Sequence, residues 1–143
     1  MKCKFFLALC LLTFIFCETP VFEVNTEKNS NNAFSVKKGL QFKIKLAGNP
    51  TTGYSWFLLN LKKLAESEFV SSVDTNEDGS AGGYVPDETV DENGNAIEGA
   101  GGNFYFTFEA KAKTSEPVNL LFSYQAPWNG NSEKAVKVEI TVN

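Results

Sequence analysis

Thr51 and Thr52 lie side by side within a turn, Gly48-Asn49-Pro50-Thr51-Thr52-Gly53-Tyr54-Ser55-Trp56, and theirs are the most conspicuous hydroxyls of the chain. Pro50 restricts its own φ and pushes Asn49 away from helical backbone. Gly53 is free to take a dihedral that other residues avoid. Two hydroxyls on so stiff a loop can donate and accept hydrogen bonds in a defined direction. Taken alone, a turn of this composition reads first as an ordinary connection between strands.

Covalent chemistry is poorly served elsewhere. The chain has no histidine, which removes Ser-His-Asp and Cys-His catalytic units, histidine-based zinc sites and the usual proton shuttle near neutrality. Its three cysteines, Cys3, Cys10 and Cys17, all fall in the first 17 residues. Those residues have the layout of a secretory signal peptide. Met1-Lys2-Cys3-Lys4 is basic, and Phe5 to Cys17 is a run of 13 uncharged residues in which Thr13 alone is polar. A bilayer span needs roughly 20 apolar residues, so the run is too short to be one. Cys17 and Thr19 are small enough to flank a cleavage site, and residues 1–17 are therefore read as a leader and 18–143 as the working domain. That domain has no cysteine, hence no disulfide framework, and no cofactor or metal is expected.

Charge narrows the partners. All 13 basic residues are lysines; losing Lys2 and Lys4 leaves 11 against 17 acidic residues, about −6. An acidic, arginine-free domain is a poor match for nucleic acid or anionic lipid. After leader removal the expectation is a soluble monomer on the secretory route, secreted or held in lysosome-like or phagosomal vesicles.

The elements that position the turn are strands. Leu40 to Leu46 alternates apolar and polar before it, and the aromatic run Tyr54-Ser55-Trp56-Phe57-Leu58-Leu59 follows it. Phe104, Phe106, Phe108 and Ala110 share one face, opposite Tyr105, Thr107, Glu109 and Lys111. Val118, Leu120, Phe122 and Tyr124 repeat the pattern, as do Val136, Val138, Ile140 and Val142. Such alternation is that of antiparallel strands with one buried face. Asn-, Gly-, Pro- and Ser-rich stretches separate them, and residues 59–68 offer the only helical candidate. The fold class is all-β, an immunoglobulin-like β-sandwich.

Two further loops carry potential. Gly99-Ala100-Gly101-Gly102 precedes the phenylalanine-rich strand and leaves the main chain bare for a partner's backbone. It leads into a strand and has no P-loop lysine, so a phosphate cradle is set aside. Pro127-Trp128 ends another strand. Its indole either folds back on the sandwich rim or stands out as a rigid aromatic anchor.

The three segments Asn49-Pro50-Thr51-Thr52-Gly53-Tyr54-Ser55-Trp56, Gly99-Ala100-Gly101-Gly102 and Pro127-Trp128, in this order, resemble the chagasin family of protein inhibitors of papain-like cysteine proteases. The first segment is specific and the other two are weak singly; in register they are strong. The resemblance runs from about Phe34 to the end. It implies three binding loops at one end of the sandwich, a wedge that fills a protease cleft. Asn49, Pro50, Thr51, Thr52, Gly53, Tyr54, Gly99, Ala100, Gly101, Gly102, Pro127 and Trp128 would touch the protease, and the inhibitor would do no chemistry of its own. Two departures stand out. Ala126 occupies a position where the family commonly has arginine, and residues 84–98 are long for the family and acidic, which reads as a mobile solvated arm.

Rival readings are a secreted carbohydrate-binding module using Tyr54, Tyr84 and Trp128, and a glycosidase using two carboxylates. The acids crowd into residues 74–98 instead of pairing across a cleft. The cysteine count gives a first expected outcome. Protein spanning residues 18–143 should melt at the same temperature with and without reductant, and a lower melt in reductant would reveal a covalent cross-link that this sequence should not contain.

Overall fold

The computed structural model describes residues 18–128 and 130–143. The leader assigned to residues 1–17 lies outside them. No helix among the described residues is long and apolar enough to cross a membrane.

The described chain forms β1 (Val21–Glu23), β2 (Asn32–Val36), β3 (Gln41–Gly48), β4 (Ser55–Leu58), α1 (Leu61–Ala65), β5 (Val70–Ser72), β6 (Gly83–Pro86), β7 (Gly102–Ala110), β8 (Val118–Gln125) and β9 (Ser132–Val142). One sheet runs β1-β3-β7-β5, with β6 also on β7; the other runs β2-β9-β8-β4. Their inner faces are the alternating residues of the sequence. Phe42, Ile44, Leu46, Phe106, Phe108, Leu120, Val138 and Ile140 are completely buried. Phe108 stacks on Phe42 within one sheet at 5.5 Å, and Phe106 meets Phe122 of the other sheet at 4.9 Å. Burying each such ring contributes about 2–3 kcal/mol. The all-β sandwich is therefore built by the strands that the alternation marked.

Four features depart from the alternation or were not visible in it. Thr107 and Ser123 are buried although they sit on the outward side of their strands. Asp74 covers Thr107, accepting its amide at 2.8 Å and its hydroxyl at 2.6 Å. Ser123 donates to Gln125 and shares a 2.8 Å bond with the Ser132 hydroxyl. The short strands β1 and β2 escaped the pattern; they join β3 and β9 in parallel, so the sandwich is not purely antiparallel. The helix expected over residues 59–68 shrinks to five residues. Leu64 is its buried side chain, and Ala65 is exposed. Before it, the Asn60 amide donates to the Asn119 carbonyl at 2.9 Å and accepts from the Leu121 N–H at 3.1 Å, taking the place of one more strand residue.

The acidic arm needs the largest correction. Residues 84–98 do not form a structureless loop. They continue the β6–β7 ladder as a hairpin, with Asp87 donating to the Gly101 carbonyl, Ile97 to Thr89 and Asp91 to Asn95 at 2.8–2.9 Å. Its tip closes because the Asp91 carboxylate accepts the amides of Asn93 at 2.8 Å and Asn95 at 2.9 Å. Aspartate and glycine at the tip are ordinary turn chemistry, which an acidic composition masks.

Two carboxyls are held below the usual aspartate range. Asp91 is lowered chiefly by the Asn95 backbone amide, and Asp78 chiefly by the side chain of Ser80. A folded-state pKa that is depressed contributes stability above the unfolded value and loses it as pH falls through the folded one. With no histidine to titrate, stability should stay level from pH 8 to 5 and fall only below about pH 4, where aspartates protonate. Chemical denaturation midpoints across this range check it, and a step near pH 6.5 would contradict it.

Candidate functional site

Two strand ladders end at the same end of the sandwich, and their ends determine which loops meet. Gly48 pairs with Gly102, so the chain leaving β3 at Asn49 passes the chain entering β7. Ser55 pairs with Gln125, so residues just before β4 pass residues just after β8. Segments about 50 and 75 residues apart in sequence thus become neighbours, as the contacts of Asn49 with Gly99 and with Tyr124 show.

The first loop is a single 3-10 turn, Pro50–Thr52. Asn49 caps it from extended backbone, its side-chain oxygen accepting the Thr51 N–H at 3.1 Å and the Thr51 hydroxyl at 2.6 Å. Asparagine is a favoured cap because its oxygen replaces the partner that the first turn lacks, and proline at the next position has no N–H to satisfy. The Thr52 hydroxyl donates to the Asn49 carbonyl at 2.7 Å, and Gly53 donates to Pro50 at 2.9 Å from a left-handed backbone with φ of 81°. Pro50, Thr51 and Thr52 are exposed.

Asn49 also ties this turn to the rest of the site. The Tyr124 hydroxyl accepts its N–H at 2.9 Å and donates to its carbonyl at 3.1 Å. Tyr124 is itself buried between Trp56, at 5.1 Å, and Tyr54, at 5.6 Å. Trp56 is anchored in turn by its indole N–H on the Ala47 carbonyl at 2.9 Å. The Asn49 amide nitrogen donates across to the Gly99 carbonyl at 2.9 Å. One asparagine therefore caps the first loop, fastens it to the core and joins it to the second.

The glycine loop divides by role. Gly99 sits at φ of 78°, where side chains are strained. Gly102 is a buried strand residue; a Cβ there would lie 2.4 Å from the Tyr84 hydroxyl. It is closed off by β6 and does not offer bare main chain to a partner, contrary to the expectation that all of this segment is open. Gly99 is exposed with nothing within 4 Å of where a Cβ would lie, and Ala100 and Gly101 are half-buried; at Gly101 a Cβ would meet nothing closer than the Gly48 carbonyl at 3.4 Å. Tyr54 is half-buried, its ring on Tyr124.

Trp128 is 71% exposed, yet one edge of its ring covers the first loop: a Cβ at Gly53 would fall 2.3 Å from it. The indole thus stands out and leans on the rim at once. Ala126 is completely buried. A hollow of about 580 Å³ opens beside the first loop, bordered by Asn49, Thr52, Tyr54 and Tyr124 and, from the other side, by Thr26 and Lys134. Thr26, Lys134 and the anchoring role of Tyr124 were missed in sequence: the parallel seating of β1 and β2 brings the β1–β2 connection, with Thr26, to this end, and the β8–β9 ladder sets Lys134 opposite Tyr124.

Among the described residues no three acidic or sulfur ligands gather to hold a metal. What the site presents is hydroxyls, bare backbone and one aromatic plate on a stiff convex edge. Tyr124→Phe keeps the ring stack and removes the hydroxyl. It should cost about 1 kcal/mol and quicken amide exchange at Asn49 and Thr51. Unchanged exchange at both positions would show that the hydroxyl does not hold the loop.

Comparison with known proteins agrees with this geometry. Residues 35–142 match the family model described as Chagasin family peptidase inhibitor I42. Chagasin of Trypanosoma cruzi is 27% identical over 115 residues, 80% of this chain and 91% of that protein. Amoebiasin-1 of Entamoeba histolytica is 29% identical over 108 residues, 75% of this chain and 85% of that protein. The solved structure of PbICP-C in complex with falcipain-2 shares the fold with a TM-score of 0.55, at 18% identity over 87% of this chain and 99% of that one. A match across three-quarters of its length places this chain in the chagasin family of peptidase inhibitors.

Proposed function

We propose that this protein is a reversible inhibitor of papain-like cysteine proteases that plugs the active-site cleft with its three loops and is not itself cut. The observation that carries the reading is the coupling of the loops into one preformed edge. Asn49 bonds the first to the second, and Trp128 lies over Gly53 to join the third to the first. A partner binding this edge has little left to order, and preorganisation converts contact into affinity.

Each part has a task. Thr51 and Thr52 approach the catalytic cysteine of the protease, offering hydroxyls and amides. Their backbone is wound into a hydrogen-bonded 3-10 turn, whereas proteases take up extended chain. Ala100 and Gly101 run beside the cleft and pair with its backbone. Pro127 and Trp128 place an indole on apolar surface at the far side. That a relative was solved with falcipain-2 supports the reading. The uncharged run at residues 5–17 supports delivery along the secretory route. A carbohydrate platform is not supported: Tyr54 packs on Tyr124 and Tyr84 on Phe104, at 5.6 and 4.9 Å, and both rings are half-buried.

Titration of papain with residues 18–143 should give stoichiometric, reversible loss of activity, recovered inhibitor of full length, and no effect on a serine protease. Papain activity that persists in inhibitor excess would overturn the proposal. Trp128→Ala should weaken inhibition roughly 30-fold, the worth of a central interface tryptophan at about 2 kcal/mol, and leave the melt nearly unchanged because the ring is mostly exposed. Thr51→Ala should cost less, since backbone carries part of that loop's contact. Full inhibition by Trp128→Ala would remove the third loop from the site.

A further inference from the structure

The hairpin at residues 84–98 is absorbed neither by the three-loop wedge nor by the core, and its placement gives it a task. The β6–β7 ladder ends at Pro86↔Gly102, level with the last β3–β7 pair, Gly48↔Gly102. Asp87 still pairs with Gly101, after which the register slips and a second ladder follows through Thr89, Val90, Ala96 and Ile97. The slip is taken up around Gly99, in left-handed backbone, whose carbonyl is the one that Asn49 holds. The hairpin therefore extends past the end of the sheet from which the first loop springs, and is rooted in the second loop itself. A protein seated on Thr51 and Gly101 meets this hairpin beside it.

Its surface says what kind of partner it suits. Asp87, Glu88, Asp91, Glu92 and Glu98 lie within residues 84–103, where no lysine occurs. The two ion pairs found among the described residues, Lys45–Glu23 and Lys137–Glu139, are elsewhere. Asp87 and Asp91 are used within the hairpin, by the Asn103 amide and by the tip amides. Glu88, Glu92 and Glu98 are exposed and point to no internal cation. Between them Val90 and Ile97 are 60% and 50% exposed, on opposite faces of the hairpin, because Val90 pairs with Ala96 and Ile97 with Thr89. An exposed apolar side chain on either face, with unpaired carboxylates close by in the same hairpin, fits a surface with lysine or arginine around an apolar patch.

We infer that the hairpin is a fourth contact element, selecting among papain-like proteases by engaging a basic rim beside the cleft. The inference rests on the inhibitory reading above, and deepens it by naming what the preferred target carries. Charge at the edge of an interface acts mainly on association rate and on discrimination, and salt screens it.

The test compares wild type with Glu88→Gln/Glu92→Gln/Glu98→Gln, a set that spares both structural aspartates. Two papain-like proteases serve as probes, one with an excess of lysine and arginine around its cleft and one with an acidic rim. At about 50 mM salt the triple variant should inhibit the basic-rimmed protease roughly tenfold less well, through slower association. It should inhibit the acidic-rimmed protease as well as wild type or better. Near 500 mM salt the difference should vanish. Equal melts of the two proteins establish that the fold is intact. A variant indistinguishable from wild type on both proteases at low salt overturns the inference while the three-loop reading stands. Wild type that inhibits neither protease overturns the three-loop reading, and the hairpin's role with it.

Discussion

The site depends on one residue's hydrogen bonds. Asn49 spends every polar group it has inside the molecule: main-chain N–H and carbonyl on the Tyr124 hydroxyl, side-chain oxygen on Thr51, side-chain nitrogen on the Gly99 carbonyl. Bonds to a partly buried hydroxyl are individually modest, about 1 kcal/mol each. Their worth lies in direction, since they run from the turn into a buried tyrosine, across to a second loop and back onto the turn. Remove that node and the strands would still pair, but the ends of the ladders would no longer dictate where the loops stand.

The sandwich makes the node possible through aromatic packing. Tyr124 could not hold its hydroxyl still on a loose ring. It is wedged by Trp56 of the adjacent strand and by Tyr54 just before that strand, and Trp56 is fastened to the end of β3. A chain of contacts thus leads from the fully buried core to the exposed threonines with no flexible step between. Such rigidity opposes the extended conformation that a protease cleaves, and limits the entropy lost when a partner binds. Trp128 completes the edge from outside, covering the glycine on which the turn closes.

Much of this was legible in sequence. The two-residue period in residues 104–110, 118–124 and 136–142 marks strands with one buried face, and each became one. The stiff Asn-Pro…Gly turn announced itself through the dihedral demands of its own residues. What stayed hidden has physical reasons. Strands of three to five residues, such as β1 and β2, are too short to show a period, and their parallel seating is a matter of tertiary packing. Thr107 looks outward by pattern and is buried only because Asp74 folds over it. The arm at 84–98 was misread because its acidity suggests solvation, whereas turn-forming residues and backbone pairing decide its shape. Nothing in the sequence says that the Asn49 amide reaches Gly99, a contact made across 50 positions.

The glycines show why a motif and a binding surface are different things. Gly48 is needed because a side chain would strike Phe104, at 2.8 Å, and Gly102 because one would strike Tyr84. Gly99 answers to backbone conformation, and Gly53 to both conformation and the indole above it. Of the glycines around the site, Gly101 alone is required by neither neighbours nor dihedral, so its missing side chain is not a demand of the fold. A cluster of glycines that reads as a single accessible strip is thus mostly the fold's own requirement. The surface available to a protease is narrower than the motif, and correspondingly better defined.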